Sequence, residues 1–186
     1  MQNLIEQYVS MLIEWNKKIN LIQKNTMTDI VKRHIEDSEQ ICKMLNFNDD
    51  IIDIGSGAGF PGVILAINNF KNVVLCEKNN KKVAFLHVIK NKLNINFSVF
   101  AEDVYNFNRK NFVSVSRAFG SLSKLLDVML SIDSKKGVFH KGKKYKEEIK
   151  EALKSFEFDY EIIQSITNKC AAIIIVKNIK RKIWEE

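Results

Sequence analysis

Residues 53–62 read DIGSGAGFPG, and they follow directly on the apolar start of the run IIDI at 51–54. Four of the chain's seven glycines stand in these ten positions. A run as short and apolar as IIDI reads as a strand buried on both faces, and the VILAI that follows Gly62 reads as the start of a helix. Glycine has no Cβ, so the backbone can turn sharply and a ligand can lie against it. A strand that ends in such a turn and feeds a helix is how an open α/β sheet holds a ligand at the carboxyl edge of its strands. Pro61 suits the first turn of that helix, where its missing N–H costs nothing.

The pattern extends outward from this turn. After it, strand and helix alternate: a strand at 72–77 and a helix near 79–93, a strand at 95–100, a strand at 112–116 and a helix holding Leu122, Leu125, Leu126 and Met129. A strand at 136–141 and a helix near 144–156 complete the series. Repeated βα units predict a parallel, doubly wound sheet. Two β-rich runs close the chain, 158–166 and 170–178, and the link TNK is too short for a parallel crossover, so they predict an antiparallel hairpin at one edge. Before residue 50 the period is helical. Leu4, Tyr8, Met11, Leu12, Trp15 and Ile19 predict an amphipathic helix over 2–22, and a second helix follows Thr26 with Ile30, His34, Ile41 and Leu45 on its apolar face. The expectation is one α/β domain over 1–186, with residues 1–48 a helical extension and 49–186 the ligand-binding core.

Bulk properties narrow the class. The longest apolar run, AAIIIV at 171–176, is far short of a membrane span, and Met1 is followed by no basic and apolar leader, which predicts a cytoplasmic protein. The three cysteines, Cys42, Cys76 and Cys170, are far apart among apolar neighbours and predict reduced thiols and no metal site. The net charge of +7 is unevenly placed. Residues 1–48 are balanced, whereas 78–96 carry five lysines without an acid, and KKGVFHKGKKYK at 135–146 is also free of acids. Local excess of this kind points to an anionic partner such as nucleic acid.

Two ligand frames fit the glycines. From Gly57, GAGFPG satisfies the dinucleotide fingerprint G-x-G-x-x-G, with Glu77 at the end of the next strand for the ribose; a nicotinamide-dependent oxidoreductase is therefore one reading. The other frame, D-I-G-S-G-A-G, resembles motif I of the Rossmann-like S-adenosylmethionine-dependent methyltransferases. The strand ends at Gly55, too early for Gly57 to be the first dinucleotide glycine. Asp53 stands where a carboxylate can hold an amino-acid end, and the terminal hairpin matches the methyltransferase sheet. Pro61 is the only proline, so both the Asn/Asp-Pro-Pro-aromatic device for exocyclic amines and the Pro-Cys nucleophile of cytosine-C5 enzymes are excluded. A ring nitrogen such as guanine N7, with a free lone pair, needs neither.

With its FPG extension, DIGSGAGFPG resembles the bacterial 16S ribosomal RNA guanine-N7 methyltransferases (the RsmG, or glucose-inhibited division protein B, family). WNKKINL at 15–21, RHIEDS at 33–38, EKNNKK at 77–82, AED at 101–103, SRA at 116–118 and KG at 141–142 match in order. The resemblance implies a class I methyltransferase fold, S-adenosylmethionine as cofactor, and 16S RNA or a 30S particle or assembly intermediate as partner, with the protein acting as a monomer. It implies that Asp53, Gly55, Gly57, Gly59 and Phe60 cradle the methionine part, that Glu77 takes the ribose, and that Ala101 and Glu102 read the adenine. Arg117 would face the cofactor as a catalytic group; an ion pair with Asp53 or Asp37 is its structural alternative. Lys141 would serve catalysis and RNA, with Lys143, Lys144 and His34 as further RNA contacts. One departure stands out, because Phe100 occupies the place of the family's usual arginine. A cofactor-sensing RNA-binding module without turnover is the remaining, non-enzymatic reading.

Overall fold

The computed structural model describes residues 1–23 and 29–183. Its centre is a seven-stranded sheet: β1 (Asp50–Ile54), β2 (Asn72–Cys76), β3 (Ser98–Phe100), β4 (Val113–Arg117), β5 (Lys136–Lys141), β6 (Phe156–Gln164) and β7 (Ala172–Arg181). The order across the sheet is β3-β2-β1-β4-β5-β7-β6. β1 to β5 run parallel, and β7 lies antiparallel between β5 and β6. The predicted parallel sheet with an antiparallel closing hairpin is therefore present. The hairpin is offset from its expected bounds, and its second strand is the one that meets the parallel sheet.

Side chains alternate between two apolar layers. Ile51, Val73 and Leu75 point into one cluster with helices α1 (Gln2–Asn16), α3 (Gly62–Ile67) and α4 (Asn80–Leu93). Ile52, Ile54, Val74 and Cys76 point into the other, beneath α5 (Leu122–Ser131) and α6 (Tyr145–Ser155). This two-sided burial explains why the central strands read as continuous apolar runs.

The amino-terminal extension differs most from expectation. α1 stops at Asn16, not at residue 22, because the Asn16 Oδ1 accepts from the backbone N–H groups of Leu21 (2.8 Å) and Ile22 (2.9 Å) and folds the chain back. The expected helix start at Thr26 lies outside the described residues. The second helix is a π-helical segment, Val31–Glu36, continued by α2 (Asp37–Cys42). It is latched to the closing hairpin. Asp37 accepts from Ser165 and Thr167, and Gln40 both donates to the Gln164 carbonyl (2.8 Å) and accepts from the Ile166 N–H (3.1 Å). His140 Nε2 on β5 stands 3.3 Å from Asp37. Burial works to raise the Asp37 carboxyl, but His140, Thr167 and Arg117 outweigh it and hold it below its ordinary value.

Candidate cofactor and RNA site

Asp53, the last residue but one of β1, is wholly buried. One carboxylate oxygen accepts from the Gly62 N–H at 3.0 Å; the other makes no hydrogen bond among the described residues. Burial pushes the carboxyl up to about 7, against the opposing pull of Ser56, the Gly62 N–H and Arg117. Gly62 is required here although its backbone is unstrained, since a Cβ would stand 2.7 Å from that same Asp53 oxygen and 2.9 Å from Leu75. The second G of FPG therefore makes room for the carboxylate.

The glycine turn itself uses positive φ at Gly55 (69°), Gly57 (58°) and Gly59 (99°). A Cβ at Gly55 or Gly59 would strike Phe119 or Val63, each at 2.4 Å. At Gly57 it would meet nothing closer than 3.8 Å. Gly55 and Gly59 are thus fixed by the protein's own packing, while at Gly57 a Cβ would make only ordinary contacts. Glu77, just beyond β2, ties the loop down: its carboxylate accepts from the N–H of Gly57 (3.0 Å) and of Asn79 (2.8 Å). The far end of the loop is held from α1, where the buried Tyr8 hydroxyl donates to the Ala58 carbonyl at 2.7 Å.

A cleft of about 340 Å³ opens along the carboxyl ends of the strands, reached by Gly55, Glu77, Glu102, Asp103, Ala118 and Phe119. A second cavity of about 220 Å³ adjoins it and shares Gly55, Lys82 and Ala118. Its other walls are Ser56–Ala58, Phe60, Arg117, Leu21 and Ile22. Ala118 holds a left-handed φ of 61°, a strained conformation for a residue with a side chain. The sequence reading missed Lys82, Ala118 and Phe119. The first was legible in the EKNNKK match and the second in SRA; nothing local marks the third.

Asp53, Gly55, Gly57, Phe60, Glu77 and Arg117 converge on the glycine turn. Ala101 and Glu102 follow β3, both exposed; Glu102 lies in the wall of the larger cleft, where Ala101 does not, and it accepts from the Asn106 amide at 3.1 Å. Phe100 packs edge-on against Phe107, their ring centres 5.3 Å apart, which makes that position apolar.

Arg117 makes neither of the ion pairs weighed from the sequence. It donates to the Arg33 carbonyl at 2.9 Å and to His34 Nδ1, and it lies over the Phe60 ring, 4.8 Å from the ring centre. His34 stacks on the same ring at 5.1 Å. Burial, reinforced by the Arg117 cation, lowers His34 to about 4, so it is a neutral acceptor toward Arg117 at ordinary pH.

Lys141 departs from its expected role. It is 6 % exposed, its ammonium pairs with Glu148 at 2.6 Å and donates to the Gly120 carbonyl at 2.5 Å, and Glu148 also accepts from the Leu122 N–H. That arrangement braces the β4–α5 turn and pairs the charge within the protein. Lys143 and Lys144, one turn on, are exposed.

The residues suit an adenosyl amino acid: a carboxylate with a free oxygen at the end of β1, a loop open at Gly57, and a second carboxylate one strand away. The chain matches the model of the family described as GidB, rRNA small subunit methyltransferase G, over residues 1–177. This protein belongs to that family. Proteins named ribosomal RNA small subunit methyltransferase G are similar along nearly the whole chain. The one from Orientia tsutsugamushi is 35% identical over 177 residues, covering 94% of this chain and 89% of the relative. That from Pelagibacter ubique is 36% identical over 186 residues, covering 94% and 87%.

Solved structures share the fold at low identity. Magnesium protoporphyrin IX methyltransferase from Synechocystis, with bound S-adenosylmethionine, aligns at TM-score 0.64 and 12% identity over 91% of this chain and 96% of its own. A putative S-adenosyl-L-methionine-dependent methyltransferase from Methanococcus maripaludis aligns at 0.61 and 17%, over 86% and 94%. The class I methyltransferase fold expected from the sequence is present. The oxidoreductase and the non-catalytic module find no support among these relatives. No helix among the described residues is long and apolar enough to cross a membrane.

Proposed function

We propose that this protein transfers a methyl group from S-adenosylmethionine to guanine N7 of 16S ribosomal RNA, working as a monomer in the cytoplasm on the RNA, the 30S subunit or an assembly intermediate. The observation that carries the reading is the juxtaposition, in a chain of this family, of a buried half-satisfied Asp53 with a glycine loop open at Gly57. When bound, S-adenosylmethionine supplies an electrophilic methyl group. In this reading Asp53 takes the ammonium end of the amino acid, the backbone of Gly55, Gly57 and Gly59 runs beside it, and Phe60 flanks it. The Glu77 oxygens retain free lone pairs for ribose hydroxyls, and Ala101 and Glu102 stand beyond β3 for the adenine edge.

Guanine N7 carries its lone pair in the neutral base, so the protein has no proton to remove. Its contribution is orientation and exclusion of water. Arg117, fixed by His34 and the Arg33 carbonyl, lines the cavity beside the glycine loop, and in this reading it faces the methyl group from there. N7 faces the narrow major groove of an RNA helix, so the target must sit in a loop or an open intermediate, with phosphates held by an exposed rim including Lys143 and Lys144.

The test uses ribosomal RNA and 30S particles from cells lacking the gene, labelled cofactor, and mapping by strand scission at N7-methylguanine. Label at one guanine that is cleaved by scission supports the reading. Absence of label on every form of the RNA overturns it.

A further inference from the structure

Away from the cofactor cleft, a groove of about 510 Å³ runs between α1 and the π-helical segment Val31–Glu36. Its floor is apolar. Ile5, Val9 and Ile13 recur every fourth residue along α1 and face Val31 and Ile35 from the other wall. Val31 is 53 % exposed, and Val9 and Ile13 are only half-buried, so apolar surface lies open here.

The rim has the opposite charge to the molecule as a whole. Glu6, Glu36 and Glu39 line the groove and no lysine or arginine does, in a chain of net charge +7. Glu6 accepts from the Gln2 amide on its own helix, and among the described residues none of the three has a cation within ion-pair distance. Lys32, Arg33 and Lys43 are close in sequence, but they are exposed and stand outside the groove wall. Such a rim repels RNA phosphate and anionic lipid and favours a cationic partner.

The walls decide the partner's form. Both are helical and bond their backbone groups internally, so they offer no ladder to an incoming strand. A segment lying between them must satisfy its own backbone and present apolar side chains every three or four residues, which describes a helix. From Gln2 to Ile13, α1 rises about 16 Å, room for about three turns. A second copy of this chain offers no such helix. Among the described α-helices Leu130 is the only exposed large apolar residue, and its helix α5 carries one lysine and one aspartate.

We infer that this groove docks a basic amphipathic helix of a partner protein, with the apolar side on Val9, Val31 and Ile35 and the basic side against Glu6, Glu36 and Glu39. The inference is independent of the methyltransferase reading, because the groove shares no residue with the cofactor cleft or its adjoining cavity.

The test is fluorescence anisotropy with a labelled leucine–lysine peptide of about three turns, its leucines at helical spacing, and with its leucine–glutamate counterpart. Wild type is expected to bind the lysine peptide on the order of tenfold more tightly, the range of several rim ion pairs. Val31→Ser should weaken that binding about tenfold, as the loss of one buried apolar contact requires. Glu36→Lys combined with Glu39→Lys should reverse the preference between the two peptides. Circular dichroism melts check that the variants fold as wild type does. Binding of neither peptide, equal binding of both, or a preference untouched by the charge reversal overturns the assignment. So does binding of an RNA oligonucleotide, or self-association in sedimentation, that Val31→Ser weakens.

Discussion

At the level of single residues, Asp53 and Gly57 carry opposite kinds of constraint. Asp53 is ionised in the unfolded chain above its ordinary value of 3.8, but in the folded protein it keeps its proton up to about 7. Between those limits the native state binds the extra proton, so its contribution to stability is lost as pH rises toward 7. Thermal melts of Asp53→Asn should therefore show a flatter decline than wild type between about pH 4 and 7. Cofactor affinity should run the other way. Only the carboxylate attracts an ammonium, so S-adenosylhomocysteine should bind more tightly as pH rises through about 7, and titration calorimetry in Asp53→Asn should lose that trend. At Gly57 the outcome is steric. Valine there must adopt φ near 58° and fill the open side of the loop, so Gly57→Val should abolish cofactor binding at a cost of only about 1–2 kcal/mol in folding, read by denaturant titration.

Between elements, the informative contact is the one from α1 to the glycine loop. Tyr8 is completely buried, its ring meets Phe60 edge-on at 5.4 Å, and its hydroxyl satisfies the Ala58 carbonyl. Burial holds the phenol far above its ordinary pKa, so it remains a donor. Tyr8→Phe keeps the ring and leaves that carbonyl unpaired, an expected loss of about 1–3 kcal/mol. The loss should appear as weaker S-adenosylhomocysteine binding, in addition to a lower melting temperature. Leu12→Ala, which empties a buried α1 position away from the loop, is the control: it should lower the melting temperature and spare the affinity. Equal affinity in Tyr8→Phe and wild type would show that α1 supports the core without shaping the site.

Over the whole molecule, charge is divided between structural and surface use. Lys141 belongs to the first kind, and Lys141→Met should destabilise the fold by leaving Glu148 half-buried and short of its partner. Lys143 and Lys144 belong to the second. Replacing both by glutamate should weaken RNA binding and make its dependence on log salt shallower by about 1.4–1.8, as two lost phosphate contacts require, with cofactor affinity unchanged. Parallel salt lines for wild type and variant would assign those lysines to solvation alone.

Local sequence determined a good deal. The alternation of apolar runs and helical periods, the short TNK link and the spacing of glycines specify strands, helices, the parallel direction of the first strands and the closing hairpin, because each depends on neighbours within a few residues. The same locality exposed Asp53, Glu77 and the turn between them. What only the tertiary structure decided involves partners far apart in the chain. One exception is local: Asn16 ends α1 early through side-chain bonds five and six residues ahead, which helical periodicity cannot register. Asp37, weighed from the sequence as an ion-pair partner of Arg117, reaches residues 165 and 167 and binds the extension to the hairpin. Lys141 looked like any basic residue at a strand end until α6 brought Glu148 to it. Lys82 and Arg117 come from different strand–helix units and meet only where the chain folds them around one cavity. Periodicity reports which side of an element meets the core; it carries no record of which charges the core leaves unpaired.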